Sequence, residues 1–283
     1  MSGSGNDFVV IDNRRHALRG PVSGWAKKLC HRQFGVGADG LLLLENDRGR
    51  PACRQAGFRM VYYNADGSRA DMCGNGARCM AWFAHAHGAV GKSFRFSTDA
   101  YPVESVVRGN DVRVSLGDAQ DYREIPLLRL TPTLSPRERA ALQRVRRSIA
   151  FLNTGVPHAV VFVPDVGKID ILGLGRALRF HKAFAPKGAN VNFVQKLGPH
   201  TLRVRTYERG VEGETLACGT GVTASAIAAA LRGIVKLPVR CVVSGGDTLE
   251  VRFQMHPENK NRPATAITLT GPVRLTFKGE FYV

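Results

Sequence analysis

The stretch MCGNGARCMAWFAHA around Cys73 returns 145 residues later as ACGTGVTASAIAAAL around Cys218. A chain that carries one motif twice is most simply built from two copies of one folding unit. Each copy reads Cys-Gly-x-Gly followed by Ala-rich helix formers, and in each a tyrosine (Tyr62, Tyr207) stands eleven residues before the cysteine. At 283 residues the chain has the length of two domains. Two similar domains facing each other would present one cysteine from each side to a shared interdomain cleft, the kind of crevice where small ligands bind.

Apolar runs bounded by Gly, Pro, Asn and Asp predict strands at Phe8–Asp12, Leu41–Glu45, Phe58–Tyr63, Phe94–Ser97 and Val112–Leu116. A second set follows at His158–Val163, Val191–Gln195, Thr201–Glu208, Val239–Val243 and Leu249–Gln254, with Ile267–Thr270 and Val273–Phe277 closing the chain. Helices are expected at Gly24–Arg32, Gly74–His87, Arg137–Arg147, Asp170–Phe180 and Gly219–Leu231. The segment TPTLSPRERAALQRVRR, with Pro132 and Pro136 ahead of a helical charge pattern, is the natural domain connection, and the boundary falls before it near residue 118. The fold class is therefore α/β (α+β): a first domain at 1–118 carrying Cys73 and a second at 119–267 carrying Cys218.

Both cysteines sit where a helix begins. Unpaired backbone N–H groups and the positive dipole end stabilise an anion there, so a thiol with an ordinary pKa of about 8.5 can be drawn toward neutral pH. The N–H groups at Gly74, Asn75, Gly219 and Thr220 could hold a substrate carboxylate in the same way, and glycine permits the close approach. A carbon held between two such cysteines loses its proton to one thiolate and receives another from the opposite thiol, which inverts configuration. The carbanion must be stabilised by several donors aimed at the carboxylate, each typically contributing about 3 to 4 kcal/mol. The pair holds one proton between them.

Other chemistries fit less well. Cys73 and Cys79 are six apart and no CxxC pair exists, so no zinc pattern is present, and no metal is expected. GxxxxGK[ST] is absent. A net charge of +17 raises nucleic acid as a partner. However, the basic residues are scattered, with their densest stretch at 129–147, and no recognition motif accompanies them, so a solvated basic surface and no nucleic-acid partner is the better reading. No apolar run is long enough for a membrane span and no secretory signal is apparent, so a cytoplasmic chain with thiols rather than disulfides is expected. Cys30, Cys53, Cys79 and Cys241 lack the repeat context and read as packing residues.

Six segments taken in order, GNDFVVID (5–12), NADGS (64–68), MCGNGARC (72–79), GVPH (155–158), YERG (207–210) and ETLACGTG (214–221), resemble diaminopimelate epimerase. Proline racemases, which are similar, usually carry His where Asn75 stands, so proline or hydroxyproline epimerisation is the alternative of the same fold. The resemblance implies two domains, each a mixed barrel-like sheet around a central helix, with the last strands at about 268–283 returning to the first. It implies conversion of LL-2,6-diaminopimelate to the meso form, no cofactor, a small-molecule partner only, and a homodimer. It also implies catalytic Cys73 and Cys218, pKa-modulating His158 and Glu208, and substrate contacts from Asn6, Asn64, Gly74, Asn75, Asn190, Glu208, Arg209, Gly219 and Thr220. Glu208 and Arg209 suit the remote ammonium and carboxylate of such a substrate.

Three departures stand out. Gly40 and Val156 replace polar residues common in relatives, and those contacts are not carried over. Relatives usually have a short strand before the first motif, so the expectation is that either an edge strand is missing or Met1 is an internal start. The strong basic charge has no functional account.

Overall fold

The computed structural model describes residues 1–47, 57–130, 134–142 and 148–282, and the chain divides into two compact units. Unit 1 comprises Met1–Leu116 with Thr270–Val283, and unit 2 comprises Gly117–Leu269.

In unit 1, β1 (Ser2–Gly3), β2 (Asn6–Asp12), β3 (Gly40–Glu45), β4 (Arg59–Asn64) and β5 (Arg69–Ala70) form one sheet in chain order. β2 and β3 run parallel, with α1 (Val22–Cys30) in the crossover, and the other pairs are antiparallel. Helix α2 (Gly74–Ala86) follows, then the antiparallel strands β6 (Ser93–Phe96), β7 (Val103–Arg108) and β8 (Asp111–Ser115). Bridges Arg59–Ser97 and Ser2–Arg274 join the strand sets, and α2 packs against β1–β4, β7 and β8, so the unit wraps around its helix. This explains the unbroken run Leu41, Leu42, Leu43 and Leu44, all fully buried: Leu41 and Leu43 pack with Ala26 and Leu29 of α1, while Leu42 lies against Gly76 of α2.

Unit 2 repeats the scheme. It contains β9 (Gln120–Pro126), α3 (Pro136–Leu142), β10 (Ser148–Asn153), β11 (Pro157–Phe162), α4 (Ile171–Arg179), β12 (Asn190–Gly198), β13 (Thr201–Glu208) and β14 (Gly213–Thr215). Helix α5 (Gly219–Leu231) and strands β15 (Val239–Val243), β16 (Thr248–Met255) and β17 (Ala264–Pro272) complete it, the last three residues of β17 belonging to unit 1. β11 and β12 are parallel across α4, β12 and β13 antiparallel, and β14 folds back on β13, which is the order of β2, β3, β4 and β5 again. The Ala119–Ala264 bridge closes the strand ring around α5. α5 is buried nearly all round, as a helix that is apolar on every face must be. Its Thr223 and Ser225 hydroxyls donate to the carbonyls of Gly219 and Gly221 at 2.8 and 2.7 Å, so these two buried side chains need no outside partner.

The strand expected at Val273–Phe277 does not form. Val273 is buried and Arg274 bridges to Ser2, but no strand is formed among the described residues beyond them, and Leu275 and Phe277 are exposed despite their alternation. The residues ahead of β2 supply a two-residue strand, β1, which pairs with it. The structure adds β7, β9 and β10 and the short strands β5 and β14, and starts α1 two residues early at Val22. The far end of the helix expected at Arg137–Arg147 lies outside the described residues, as does Cys53.

Candidate active site

Each unit prepares its cysteine in the same local way. A long strand ends, a short antiparallel strand returns along it, and the next residue but a few is the cysteine at the N-cap of a 13-residue helix. In unit 1 the reversal is the NADGS turn, where Asp66 accepts from the Ser68 N–H and hydroxyl at 2.8 and 2.6 Å and Gly67 takes φ 82°. Cys73 has extended backbone and its Sγ accepts the Gly76 N–H at 3.5 Å, which directs the helix start onto the sulfur. Asn75 is buried, and its amide donates to Asn6 Oδ1 at 2.5 Å. Asn6 in turn donates to Asp39 at 3.1 Å, and Asp39 receives Arg32 at 2.8 Å. Asn64 donates to the Ser68 hydroxyl at 3.0 Å, back into its own turn. Asn6, Gly74, Asn75 and Cys73 are therefore brought together, with Asp39 and Arg32 as supports that no motif announces. Gly40 carries no polar contact because none fits: a Cβ there would lie 2.5 Å from the Tyr62 ring and 2.7 Å from the Tyr63 carbonyl.

In unit 2, Cys218 is buried, with its Sγ 3.4 Å from the Thr220 hydroxyl. Thr154 donates to the Thr220 carbonyl at 2.9 Å and so ties the loop after β10 to the start of α5. Asn190 is committed on both sides, accepting the Arg209 N–H at 2.7 Å and donating to the Pro157 carbonyl at 3.3 Å, which makes it a brace for the end of β13. Glu208 accepts from Thr215 at 2.8 Å. Sequence reasoning missed Asn192, Thr206 and Thr154. Only the polar residue inside VNFV, where an apolar strand interior was expected, hinted at the first.

His158 is fully buried on β11, and burial, with a smaller effect from the Arg209 cation, pushes its pKa from 6.5 down to about 3. The folded protein thus keeps a neutral imidazole that the unfolded chain protonates below about pH 6.5. This contribution to stability is complete above that pH and is lost as pH falls toward 3. Between pH 7 and pH 5 the loss is about 2 kcal/mol, and His181, lowered in the same direction, adds to it. Urea unfolding at the two pH values measures it, and in His158→Gln the difference should shrink; an unchanged difference would assign it elsewhere. Asp7, Asp12, Asp99, Glu124 and Glu214, all held low by arginine partners, lose stability in a lower window.

Burial pushes Cys79 up to about 12 and Cys30 up to about 11, and raises Cys241 as well. These thiols stay protonated at neutral pH and behave as packing groups. Among the described residues no group of three or more His, Cys, Asp or Glu could hold a metal ion.

The diaminopimelate epimerase family profile matches residues 1–121 and 150–276. The chain belongs to the diaminopimelate epimerase family. Similar members include diaminopimelate epimerase of Aquifex aeolicus (strain VF5), 42% identical over 99% of this chain and 95% of the relative's length. That of Chlorobaculum tepidum is 39% identical over 99% of this chain and 98% of its own length. Among solved structures, a PhzF-family phenazine biosynthesis protein of Bacillus anthracis shares the fold, with TM-score 0.69 at 14% identity over 96% of this chain and 92% of its own length. So does a hydroxyproline epimerase from Agrobacterium vitis, with TM-score 0.63 at 16% identity over 96% and 86%. The family's fold is thus the mixed α+β arrangement described above.

Proposed function

We propose that this chain is an amino-acid epimerase that converts LL-2,6-diaminopimelate to meso-diaminopimelate with Cys73 and Cys218 as its acid–base pair. The observation that carries the reading is the duplicated cysteine at the start of a buried helix, in a chain whose relatives bear that name over nearly their whole length. In the proposed step the α C–H bond breaks as its proton passes to a thiolate, and the other thiol gives up its S–H proton to the carbanion from the opposite face. Charge developing on the substrate carboxylate is met by the N–H groups of the first helical turns, at Gly74, Asn75, Gly219 and Thr220. Asn6, Asn64, Asn190, Glu208 and Arg209 are assigned to the remainder of the substrate, and His158 to tuning of the cysteine pair.

The test is exchange. Protein in deuterium oxide, with LL-diaminopimelate and no added cofactor, is expected to incorporate deuterium at Cα and to bring the LL and meso forms to equilibrium. Absence of exchange with diaminopimelate, or exchange with L-proline in its place, would reject the assignment. The resemblance extends this reading to a homodimer in the cytoplasm. Among the described residues no helix is long and apolar enough to cross a membrane.

A further inference from the structure

Within unit 2, His158, Asn192 and Thr206 form a buried hydrogen-bonded row on β11, β12 and β13 beside the first turn of α5. The Asn192 Oδ1 accepts from the Thr206 hydroxyl at 2.9 Å, and its Nδ2 lies 3.4 Å from the Ala159 carbonyl oxygen, which can only accept. The amide is thereby oriented with its N–H side toward β11. That same Nδ2 stands 3.1 Å from His158 Nδ1. An N–H directed at an imidazole nitrogen requires the lone pair there, so Nδ1 is bare and the neutral ring carries its proton on Nε2. Nε2 is buried with no hydrogen-bond partner among the described residues. The helix packed against this row, GTGVTASAIAAAL, brings no charged side chain, and the charged group acting on the ring is Arg209.

We propose that Asn192 is a positioning residue that holds His158 as the neutral Nε2–H tautomer, so that the imidazole serves the site as a donor and not as a third base beside the cysteines. The second half of that statement rests on the proposed function; the first stands without it. An N–H buried without an acceptor is costly. A carboxylate or thiolate reaching Nε2 would recover that energy. The ring's one basic nitrogen is meanwhile occupied by Asn192 and cannot compete for the substrate proton.

Long-range proton–nitrogen correlation spectra of protein with ¹⁵N-labelled histidine, at pH 7.5 and without substrate, read the tautomer directly. The His158 pattern should show Nδ1 unprotonated and Nε2 protonated. Asn192→Leu, which keeps the bulk but loses the N–H, should move the Nδ1 resonance toward the averaged position of a ring exchanging between tautomers, and should lower kcat more than it raises KM. A parent ring protonated at Nδ1, or an Asn192→Leu spectrum that keeps the parent's fixed tautomer, overturns the assignment. If the leucine variant does not fold, Asn192→Ser replaces it and the parent spectrum still decides the tautomer. A parent with the expected tautomer but no epimerisation would retire the proposed function and leave this inference intact.

Discussion

Cys73→Ser and Cys218→Ser are each expected to slow α-hydrogen exchange on diaminopimelate by about 100- to 10,000-fold, the range typical for loss of a positioned acid or base. The substitution is close to isosteric. A serine Oγ at position 73 can still accept the Gly76 N–H that caps α2, so the helix start survives while the thiol becomes a far less acidic hydroxyl. At position 218 the serine keeps a partner in the Thr220 hydroxyl. Thermal melts should therefore match the parent within a few degrees while exchange collapses. The control is Cys241→Ala: this thiol is fully buried on β15 and held protonated, so its loss should be felt in stability and not in exchange. A serine variant at either motif cysteine that keeps within tenfold of the parental rate would remove that residue from the proposed pair.

Gly221→Ala is expected to destabilise the protein by about 1–3 kcal/mol and to suppress exchange, whereas Gly76→Ala, at the matching place in the first motif, should be much milder. The difference lies in what a methyl group meets. At Gly221 it would stand 2.2 Å from Asn192 Oδ1 and 3.3 Å from Cys218 Sγ, so either α5 retreats or Asn192 leaves Thr206 and His158. Buried amides released from their partners are costly. At Gly76 the nearest atom is Leu42 Cδ2 at 3.2 Å, the end of an aliphatic chain that can turn aside. Urea denaturation of both variants compares them, and a Gly76→Ala as damaging as Gly221→Ala would show that the packing around Asn192 is not the deciding contact.

The elements with strong hydrophobic period were legible in the sequence. GLLLLE and VNFVQ read as strands because burial on both faces leaves an apolar run, and both sit as β3 and β12 between two layers of helix. The helix starts at Gly74 and Gly219 were legible for the same reason as the site: a repeated motif states the same local geometry twice. β9, reading QDYREIP, was invisible because its side chains are mostly exposed and charged, and pairing with β10 alone makes it a strand. β10 was hidden by the basic segment before it, although SIAFLN has the composition of a buried strand. β7, reading VESVVR, was missed although its buried and open positions alternate with period two.

At the site, Cys73, Cys218 and the N–H groups beside them were named from the repeated motif, whereas Asn6, Asn64, Asn190, Glu208 and Arg209 were named from the family resemblance alone. Asn192, Thr206, Thr154 and Asp39 were named by neither. Each acts through a partner chosen by strand register, as when Asn192 and Thr206 fall opposite each other on β12 and β13, and register is a property of the folded sheet.

Unit 1 is assembled from the two ends of the chain, with Ser2 exchanging backbone hydrogen bonds with Arg274 and Val273 donating to the Asn110 carbonyl. During synthesis its early strands leave the ribosome well before their final neighbours exist, whereas every segment of unit 2 is translated in one stretch. Unit 2 therefore has all its segments in hand before unit 1, whose own strands gain their last partners only with residues 270–283.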